Sequence, residues 1–372
     1  MKTTLACLLC LFLFAHVSKA QTWSQRLSAA ERDYEEGRLA NIPQRLQGGF
    51  ELPSKEGGYS KEERIRALKL ITKVYIFIDD EPNAEDYLIR LLKADKEHKL
   101  DRRVDPAELY FLYEQFRTKP IFRIAIRTGA NKSYPQVLRT FNTSNTLTTT
   151  KLYNGVGDPP GTATSAGTLG MGYWGELVGE RHLRWGIEVG TGVGLRNSRY
   201  DVDNFVGESA GGDPTLISFV SNQQLNFRVP VFARYNFRYF QEFGPIPYLS
   251  IGAAYDRLLA ADYVEATRRG GTSVTLSTNT DLIETDQVNR NNLSGYLALG
   301  TKLRVKTHFL NLEFRYDRSF YNYINEDNRW NGNQAIVYDL AFVEDDVALD
   351  MLSFSIGFTY SVYSPKKLKE FR

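Results

Sequence analysis

The segment 183–196 alternates strictly between an apolar row and a row of glycines and charges, and it constrains the fold more than any other part of the sequence. Its odd positions read Leu, Trp, Ile, Val, Thr, Val and Leu, and its even positions read Arg, Gly, Glu, Gly, Gly, Gly and Arg. A period of two predicts a β-strand with one apolar face. On the surface of a soluble sheet, the glycines would weaken the strand without any gain. We therefore expect the apolar face to lie against lipid and the glycine face to line the inside of a barrel.

The same period recurs in eight segments, at 122–127, 169–177, 183–196, 225–237, 247–255, 293–303, 310–316 and 352–360. Short turns join the second to the third segment, the fourth to the fifth and the sixth to the seventh. The other links, at about 130–166, 198–217, 257–291 and 318–349, are long and polar. Short turns at one end and long loops at the other are typical of outer-membrane barrels. We predict a mainly β chain with an eight-stranded antiparallel transmembrane β-barrel at 119–363. The alternative is a soluble β-sandwich or a lipocalin-like barrel.

Charged residues occupy the rows that face away from the apolar residues. In a soluble core each buried charge would cost several kcal/mol unless it were paired, whereas charges in a lumen can pair with one another and with trapped water. An eight-stranded barrel is just wide enough for side chains to fill it. We therefore predict a lumenal charge network formed by Arg123, Arg127, Arg184, Glu188, Arg196, Arg228, Arg234, Glu313, Arg315 and Asp317.

Residues 1–20 have the pattern of a secretory signal peptide, with a positive start at Lys2, an apolar run at 5–14 and a small-residue cleavage site at 18–20. Both cysteines, Cys7 and Cys10, lie within it, so the exported chain has no disulfide. An exported chain without disulfides favours a bacterial envelope. Removing residues 1–20 leaves 44 basic and 44 acidic residues, a balance that predicts no nucleic-acid partner.

Residues 21–118 have helical rather than β spacing. Ser60 and Glu63 form a capping-box pattern that opens one helix, and Tyr75 and Ala84 have the nine-residue offset of a tetratricopeptide (TPR) hairpin. We predict a small all-α, TPR-like helical-hairpin domain in the periplasm, and a basic periplasmic tail at 364–372. The candidate partner surface consists of Tyr75, Tyr87, Tyr110 and Phe116, with a place in the helical core as the alternative for each.

Catalytic, metal and cofactor patterns are missing from the sequence. His98 lies in the helical region, and His182 and His308 lie on the short-turn side, so no histidine is expected at the outer rim where a His-dependent site would open. The acidic residues at 79–86 do not have EF-hand spacing, and no helix follows the glycines at 190–194, which excludes a phosphate loop. We predict a non-enzymatic protein without a metal or cofactor.

The fourth segment, Asn226-Phe227-Arg228-Val229-Pro230-Val231-Phe232-Ala233-Arg234-Tyr235, resembles a strand of the PorT-type outer-membrane β-barrels, a branch of the OmpA/OmpX-like superfamily. In that strand an apolar–Pro–apolar step precedes a basic residue and an aromatic one. The resemblance covers about residues 120–363 and implies an outer-membrane barrel, in a family that includes a secretion-associated member. The helical extension at 21–118 departs from the bare barrel pattern.

Three functions are compatible with this organisation. The leading hypothesis is a barrel in the outer membrane of a Gram-negative bacterium that anchors the helical domain. This domain is expected to dock a periplasmic or outer-membrane protein partner, and the family resemblance suggests a link to secretion. The alternatives are small-solute transport through the barrel and adhesion or receptor activity through the long loops. Membrane lipid and lipopolysaccharide are further expected partners. Arg268 and Arg269 are candidates for contact with lipopolysaccharide phosphates, with a solvated loop tip as the alternative.

Overall fold

A computed structural model describes residues 22–143, 149–154, 171–208, 214–238, 244–269, 274–275, 281–331 and 334–368. The chain forms two compact units, one from Met1–Pro120 with Tyr363–Arg372 and the other from Ile121–Val362. The signal peptide predicted at 1–20 lies outside the described residues.

In its described residues, the first unit contains five helices and two short 3-10 turns, at Gly48–Phe50 and Ser54–Glu56. The helices are α1 (Trp23–Glu35), α2 (Ile42–Gln47), α3 (Lys61–Phe77), α4 (Glu81–Ala94) and α5 (Ala107–Glu114). Their apolar faces enclose one core that includes Leu27, Leu46, Ile71, Leu88 and Leu112. Within the described part of the chain, no helix combines the length and the apolar character needed to span a membrane.

The capping box predicted at Ser60 is present at the start of α3. The Glu63 backbone N–H donates to the Ser60 hydroxyl at 3.3 Å, and the Ser60 N–H donates to the Glu63 carboxylate at 2.9 Å. Two of the N–H groups that a helix start leaves without partners are therefore satisfied. Helix α2 was not predicted from the sequence, because it is only six residues long and has Pro43 in its first turn.

The second unit is a closed antiparallel barrel. Its strands are β1 (Phe122–Arg139), β2 (Thr149–Tyr153), β3 (Met171–His182), β4 (Ile187–Glu208), β5 (Pro214–Asn236), β6 (Ile246–Arg269), β7 (Val274–Thr275), β8 (Asn291–Val305), β9 (His308–Ser319) and β10 (Asp346–Val362), with helix α6 (Gln334–Asp339) before the last strand. The pairing order is β4-β3-β1-β10-β9-β8-β6-β5, and β5 pairs again with β4 to close the ring. The short strands β2 and β7 pair on β4 and β6. The predicted eight-stranded antiparallel barrel is confirmed.

Around the ring, the outward side chains form an apolar belt. It includes Ile126 on β1, Val231 on β5, Ile251 on β6, Leu299 on β8 and Ile356 on β10, all exposed. Exposed Arg257 and Asn291, which pair in register, lie at its outer edge together with Arg318. We call this edge the polar ring.

Beyond the polar ring, β4, β5 and β6 continue as an outer tier and reach lengths of 22, 23 and 24 residues. The loop predicted at 198–217 is therefore largely strand, and the one predicted at 257–291 begins as strand up to Arg269, so both loops were predicted to start too early. The cause is a change of apolar face: Leu195 faces outward, whereas Tyr200 and Val202 face inward. The outer tier has its own core, formed by Tyr200, Val202, Val220, Leu258, Ala261, Tyr263, Ala266, Leu282, Val288, Tyr323, Ile324, Ile336, Leu340, Phe342, Val347, Leu349 and Met351.

Candidate functional site

The barrel interior, at the level of the apolar belt, is filled by an ion-pair network. Its side chains are 0–8% exposed, and every member has at least one oppositely charged partner within 4.0 Å. The cations are Arg123, Arg127, Arg196, Arg228, Arg234, Lys302 and Arg315, and the carboxylates are Glu176, Glu180, Glu188, Asp256, Glu313 and Asp317. Strict alternation along the strands explains this arrangement, since each residue falls on an inward position.

Arg234 lies at the centre of the network and is completely buried. Its guanidinium donates to Glu180 at 2.8 Å and to Glu313 at 3.3 Å. The Tyr248 ring lies 4.2 Å from the guanidinium carbon, and the Tyr248 hydroxyl donates to Glu313 at 2.9 Å. Charge pairing and a cation–π contact together replace the hydration that Arg234 loses on burial.

Arg315 also combines ion pairs with aromatic contacts, and it lies nearer the polar ring than Arg234 does. It donates to Glu176 at 2.9 Å and to Glu313 at 2.8 Å. The rings of Trp174 and Tyr296 lie 4.6 Å and 4.5 Å from its guanidinium carbon. Because Glu313 binds both Arg234 and Arg315, the contacts of these two arginines belong to one continuous network.

The two ends of the network are also paired. Toward the polar ring, Asp256 lies 3.3 Å from Arg196 and 3.4 Å from Arg228. Toward the short turns, Glu188 binds both Arg123 and Lys302. The charges therefore form a column along the inside of the belt.

Inward glycines accept aromatic rings from neighbouring strands. A Cβ at Gly190 would lie 2.5 Å from the Phe232 ring, and one at Gly252 would lie 2.5 Å from the Tyr296 ring. The arginines then stack on these rings, as Arg234 does on Phe232 at 5.1 Å. The glycines therefore leave space for the aromatic rings, and the rings stabilise the arginines through cation–π contacts.

The network leaves almost no free volume. A cavity among Trp174, Glu176, Arg196, Arg228 and Arg315 has a volume of about 10 Å³. That volume is about the minimum needed for one water molecule. Where these side chains meet, the cavity holds nothing larger than about one water molecule.

Of the ten residues predicted to form the lumenal charge network, the structure brings nine together. The prediction is wrong for Arg184, which is exposed in the turn before β4. Trp185 and Gly186 have φ angles of 54° and 80°, and the Ile187 N–H donates to the Arg184 carbonyl at 3.0 Å. The strand therefore begins at Ile187, after the position that the alternation assigned to Arg184.

Four network residues were not named from the sequence: Glu176, Glu180, Asp256 and Lys302. Each occupies an inward position of a strand. Glu180 was assigned to a turn and Asp256 lay one residue past the predicted strand end at 255, but β3 continues to His182 and β6 to Arg269. Extending the alternation at the strand ends would have found these two, and the alternation inside the predicted strands already contained Glu176 and Lys302.

A second buried polar group lies in the outer tier, at the segment before β10. Lys151 donates to Asp345 at 2.6 Å and to the carbonyls of Phe141 and Val343 at 2.7 Å each. The Tyr153 hydroxyl donates to Asp345 at 2.8 Å. These bonds hold the segment at 341–345 across the outer end of the described barrel.

Glu344, beside this cluster, is a buried carboxyl group. Burial raises the pKa of Glu344 to about 7, although the Lys151 ammonium acts in the opposite direction. Burial also lowers the pKa of Lys151, against the effect of Asp345. The outer tier therefore contains an acid that changes its charge near neutral pH.

Arg268, a candidate lipopolysaccharide contact, donates to the Asp339 carbonyl at 2.5 Å. Its backbone belongs to β6 rather than to a loop tip. The side chain of the second candidate, Arg269, lies outside the described residues, as do Gly270 and Gly271.

The candidate partner surface on the helical domain consists largely of interior residues. Tyr87 and Phe116 are buried in the helical core, so the prediction is wrong for both as surface residues. Tyr75 is half-buried and stacks on Tyr87, with 5.4 Å between ring centroids. Tyr110 is also half-buried, and its hydroxyl donates to the Leu100 carbonyl. Their helical spacing placed these aromatics on the core face.

The helical domain instead has an open groove of about 520 Å³ between the α3–α4 turn and α5. Phe111, on α5, is 72% exposed beside it. The apolar lining is Ile76, Ala84, Ala107, Phe111 and Leu112, and the polar lining is Asp79, Glu81, Glu108 and Gln115. We call the apolar lining residues the floor of the groove and the acidic ones, Asp79, Glu81 and Glu108, its rim.

The segment 366–368 pairs with the end of α5 at the edge of this groove. The Arg117 N–H donates to the Lys366 carbonyl at 3.0 Å, and the Leu368 N–H donates to the Gln115 carbonyl at 2.7 Å. The Lys367 ammonium lies 3.6 Å from Glu81 and also binds Glu85. This part of the predicted basic tail is thus an ordered part of the helical unit.

Asp105 fixes the start of α5 against α3. Its buried carboxylate lies 2.7 Å from the Lys69 ammonium and 2.9 Å from that of Lys73. Burial alone would raise the pKa of Asp105, but hydrogen bonds from Lys69 and Lys73 hold it below its usual range. The α5 wall of the groove is therefore held on the α3–α4 hairpin by charge pairing as well as apolar packing.

The described residues contain no group of three His, Cys, Asp or Glu side chains placed to hold a metal ion. His98 contacts Asp95 at 3.1 Å in the helical domain, and His308 stacks on Tyr360 at the short-turn end of the barrel. His182 is the last residue of β3, at the same end. The histidines therefore lie where the sequence suggested.

No protein-family model and no curated protein matches the sequence. Among solved structures, the chain is similar to Neisserial surface protein A, at 10% identity over 63% of this chain and 95% of that chain, with a TM-score of 0.29. It is also similar to the outer membrane protein OprG from Pseudomonas aeruginosa, at 11% identity over 66% of this chain and 98% of that one, with a TM-score of 0.31. A third similar structure is the outer membrane protease OmpT from Escherichia coli, at 8% identity over 64% and 96%, with a TM-score of 0.34.

Proposed function

We propose that this protein is a non-enzymatic anchor of the outer membrane of a Gram-negative bacterium, whose helical domain docks a protein partner in the envelope. The barrel fixes the position of the helical domain, which acts in the periplasm. The chain enters the barrel at Ile121 and leaves it at Val362, at the end that carries the short turns. In outer-membrane barrels the short turns are periplasmic.

The apolar belt supports the membrane location. Exposed Val231, Ile251 and Leu299 would cost free energy in water, since each leaves apolar area unburied. In a bilayer the same side chains contact hydrocarbon, and closure of the ring through the β4–β5 pairing leaves no edge strand open to lipid. The polar ring would lie at the level of the lipid headgroups, in contact with outer-membrane lipid and lipopolysaccharide.

One observation carries the choice of docking over transport, namely where the free volume lies. The cavity in the charge network measures about 10 Å³, whereas the groove on the helical domain measures about 520 Å³. A docking protein needs an open surface, and a transporter needs an open lumen. The described residues provide an open surface, namely the groove on the helical domain. A secretion-associated partner is one candidate, which the resemblance to PorT-type barrels suggests.

A second candidate function, adhesion or receptor activity, is favoured by the outer tier. Strands β4, β5 and β6 extend well past the ten or so residues that a bilayer requires. They enclose a packed core and therefore form a rigid platform on the far side of the polar ring. Ligand binding would then occur through the ends of these strands.

Crosslinking in intact cells separates the two candidates. An amine-reactive, membrane-permeable crosslinker is applied to cells that produce the tagged full-length protein, and the adducts are mapped by mass spectrometry. We expect one envelope protein to be attached through exposed lysines of the helical domain, such as Lys61 and Lys93. Adducts only at Lys132, near the polar ring, would favour the adhesion or receptor function, and no specific adduct at any site would contradict docking.

A further inference from the structure

We propose that the groove between the α3–α4 turn and α5 binds a basic, apolar peptide segment of the envelope partner. The inference rests on the proposed docking function and specifies the surface and the chemistry of the partner. The occupant contributes at least one large apolar side chain and at least one lysine or arginine.

The floor of the groove accounts for the apolar part of the ligand. Phe111 is 72% exposed, although it lies on the same helix as the buried residues Leu109 and Leu112. Ile76 and Ala84 face it from the α3–α4 hairpin. An exposed aromatic side chain that lines a largely apolar groove has the character of an interface hot spot, because a partner can remove it from water.

The rim accounts for the basic part. Asp79, Glu81 and Glu108 line the groove, and no cationic side chain belongs to its described lining. An acidic rim attracts cationic segments and disfavours acidic ones. The floor alone would accept any apolar group, so the rim selects the class of partner.

The chain's own Lys367 shows the kind of contact that this rim makes. Its ammonium binds Glu81 and Glu85, and the backbone on either side of it pairs with the end of α5. Lys367 is flanked by Lys366 and Leu368. One edge of the groove is thus already occupied by an extended basic and apolar segment, and we infer that the partner places similar chemistry along the remainder.

The surrounding structure keeps the groove open. Asp105, at the residue before Pro106 and α5, is fixed by Lys69 and Lys73 of α3. A wall that is already in place reduces the ordering cost of binding. The groove is therefore ready for a partner without rearrangement of its helices.

Site-specific photocrosslinking of the full-length protein in native membranes tests this inference. A benzophenone amino acid replaces Phe111 in one variant and Phe77, which is exposed on the same domain but outside the groove lining, in a second. We expect a protein adduct at position 111 and little at position 77. The partner peptide attached at position 111 should contain lysine or arginine beside large apolar residues.

Charge variants in the position-111 background complete the test. Glu108→Lys should reduce the adduct about tenfold, as expected for loss of an important interface contact. The matched control, Glu114→Lys, changes the same charge on the same helix outside the groove lining and should leave the adduct unchanged.

The possible outcomes separate the inference from the proposed function. An adduct at position 77 but not at 111 would keep docking and overturn the groove. An adduct at 111 to lipid, to a second copy of the chain, to residues 369–372 or to an acidic peptide would overturn the partner chemistry. The absence of any protein adduct at both positions, together with none from lysine crosslinking, would overturn both.

Discussion

Arg234 shows how single residues stabilise a charged barrel interior. Its side chain is fully buried and contacts Glu180, Glu313 and the Tyr248 ring. Removing an arginine from water costs several kcal/mol, and only good geometry with several partners offsets this cost. Some carboxylates bind more than one cation, since Glu313 accepts hydrogen bonds from both Arg234 and Arg315. Loss of one member therefore leaves more than one partner uncompensated.

A comparison of two arginines tests this at the residue scale. Arg234→Gln should lower the free energy of unfolding by about 3–5 kcal/mol, because Glu180 and Glu313 remain buried without their cation. Arg184→Gln, in the exposed turn, should change it by no more than about 0.5 kcal/mol. Urea unfolding of the refolded proteins in lipid vesicles, followed by tryptophan fluorescence, measures both. Equal effects would contradict the separate placement of the two arginines.

Glu344 makes the stability of the outer tier depend on pH. Its folded-state pKa is about 7, above the ordinary value of 4.5. The folded form therefore binds the proton more tightly, so the contribution of Glu344 to stability is fully present below about pH 4.5 and is lost as the pH rises to about 7. The groups around it are Lys151, Asp345, Tyr263 and Asn222.

Glu344→Gln isolates this contribution from other titrating groups. The difference in unfolding free energy between the variant and the wild-type protein should shift in favour of the variant as the pH is raised from 5 to 8. Denaturant unfolding at both pH values gives the difference. A difference that is constant with pH would show that Glu344 does not titrate between these values.

At the scale of the strand, the faces of β4 and β5 explain what the sequence could and could not predict. Along the belt, Leu195 and Val231 point to the outside, and a period of two identified the strands and their phase. Beyond the polar ring, where the proposed membrane placement puts water on the outside, Tyr200 and Val220 point inward instead. The outward row of apolar residues therefore ends at the polar ring. Because the prediction followed this row, it ended the strands at the same place. In the structure the strands continue because they pair with neighbours distant in the sequence, and such pairing is not visible in a local sequence pattern.

The helical domain shows a different limit. The capping box and the helical periodicity are local and predicted α3 well. Whether Tyr87 or Phe111 faces the core depends on how the helices pack, and the structure buries the first and exposes the second. The groove could not be predicted for the same reason, because its residues come from the α3–α4 turn and from α5, which meet only in the folded domain.

Two positions on β6 test the boundary between lipid and water. Ile251→Arg introduces a charge in the middle of the belt, where a lipid-facing arginine costs about 2–4 kcal/mol. Glu265→Arg lies on the exposed face of the same strand in the outer tier, where a surface substitution costs at most about 0.5 kcal/mol. The yield of heat-modifiable folded barrel in lipid vesicles should fall only for Ile251→Arg. Normal folding of this variant would contradict the membrane belt.

At the scale of the whole molecule, the barrel unit is closed at two successive levels. The ion-pair network fills the interior inside the belt, and the packed core of the outer tier fills it beyond the polar ring. The two closures use opposite chemistry, since one is charged and the other apolar. They share no side chain, so opening one does not require opening the other.

Two closures in series make a specific prediction for ion flow. The wild-type protein should give no stable single-channel steps in a planar bilayer. The double variant Arg228→Ser and Asp317→Ser, which removes a buried pair and enlarges the cavity of about 10 Å³, should also stay closed, because the outer tier still blocks the path. Conductance is recorded at both polarities, after refolding of each variant is verified by heat modifiability. Stable open steps from the wild-type protein would contradict both closures and favour transport, whereas steps from the double variant alone would show that the charge network is the only barrier.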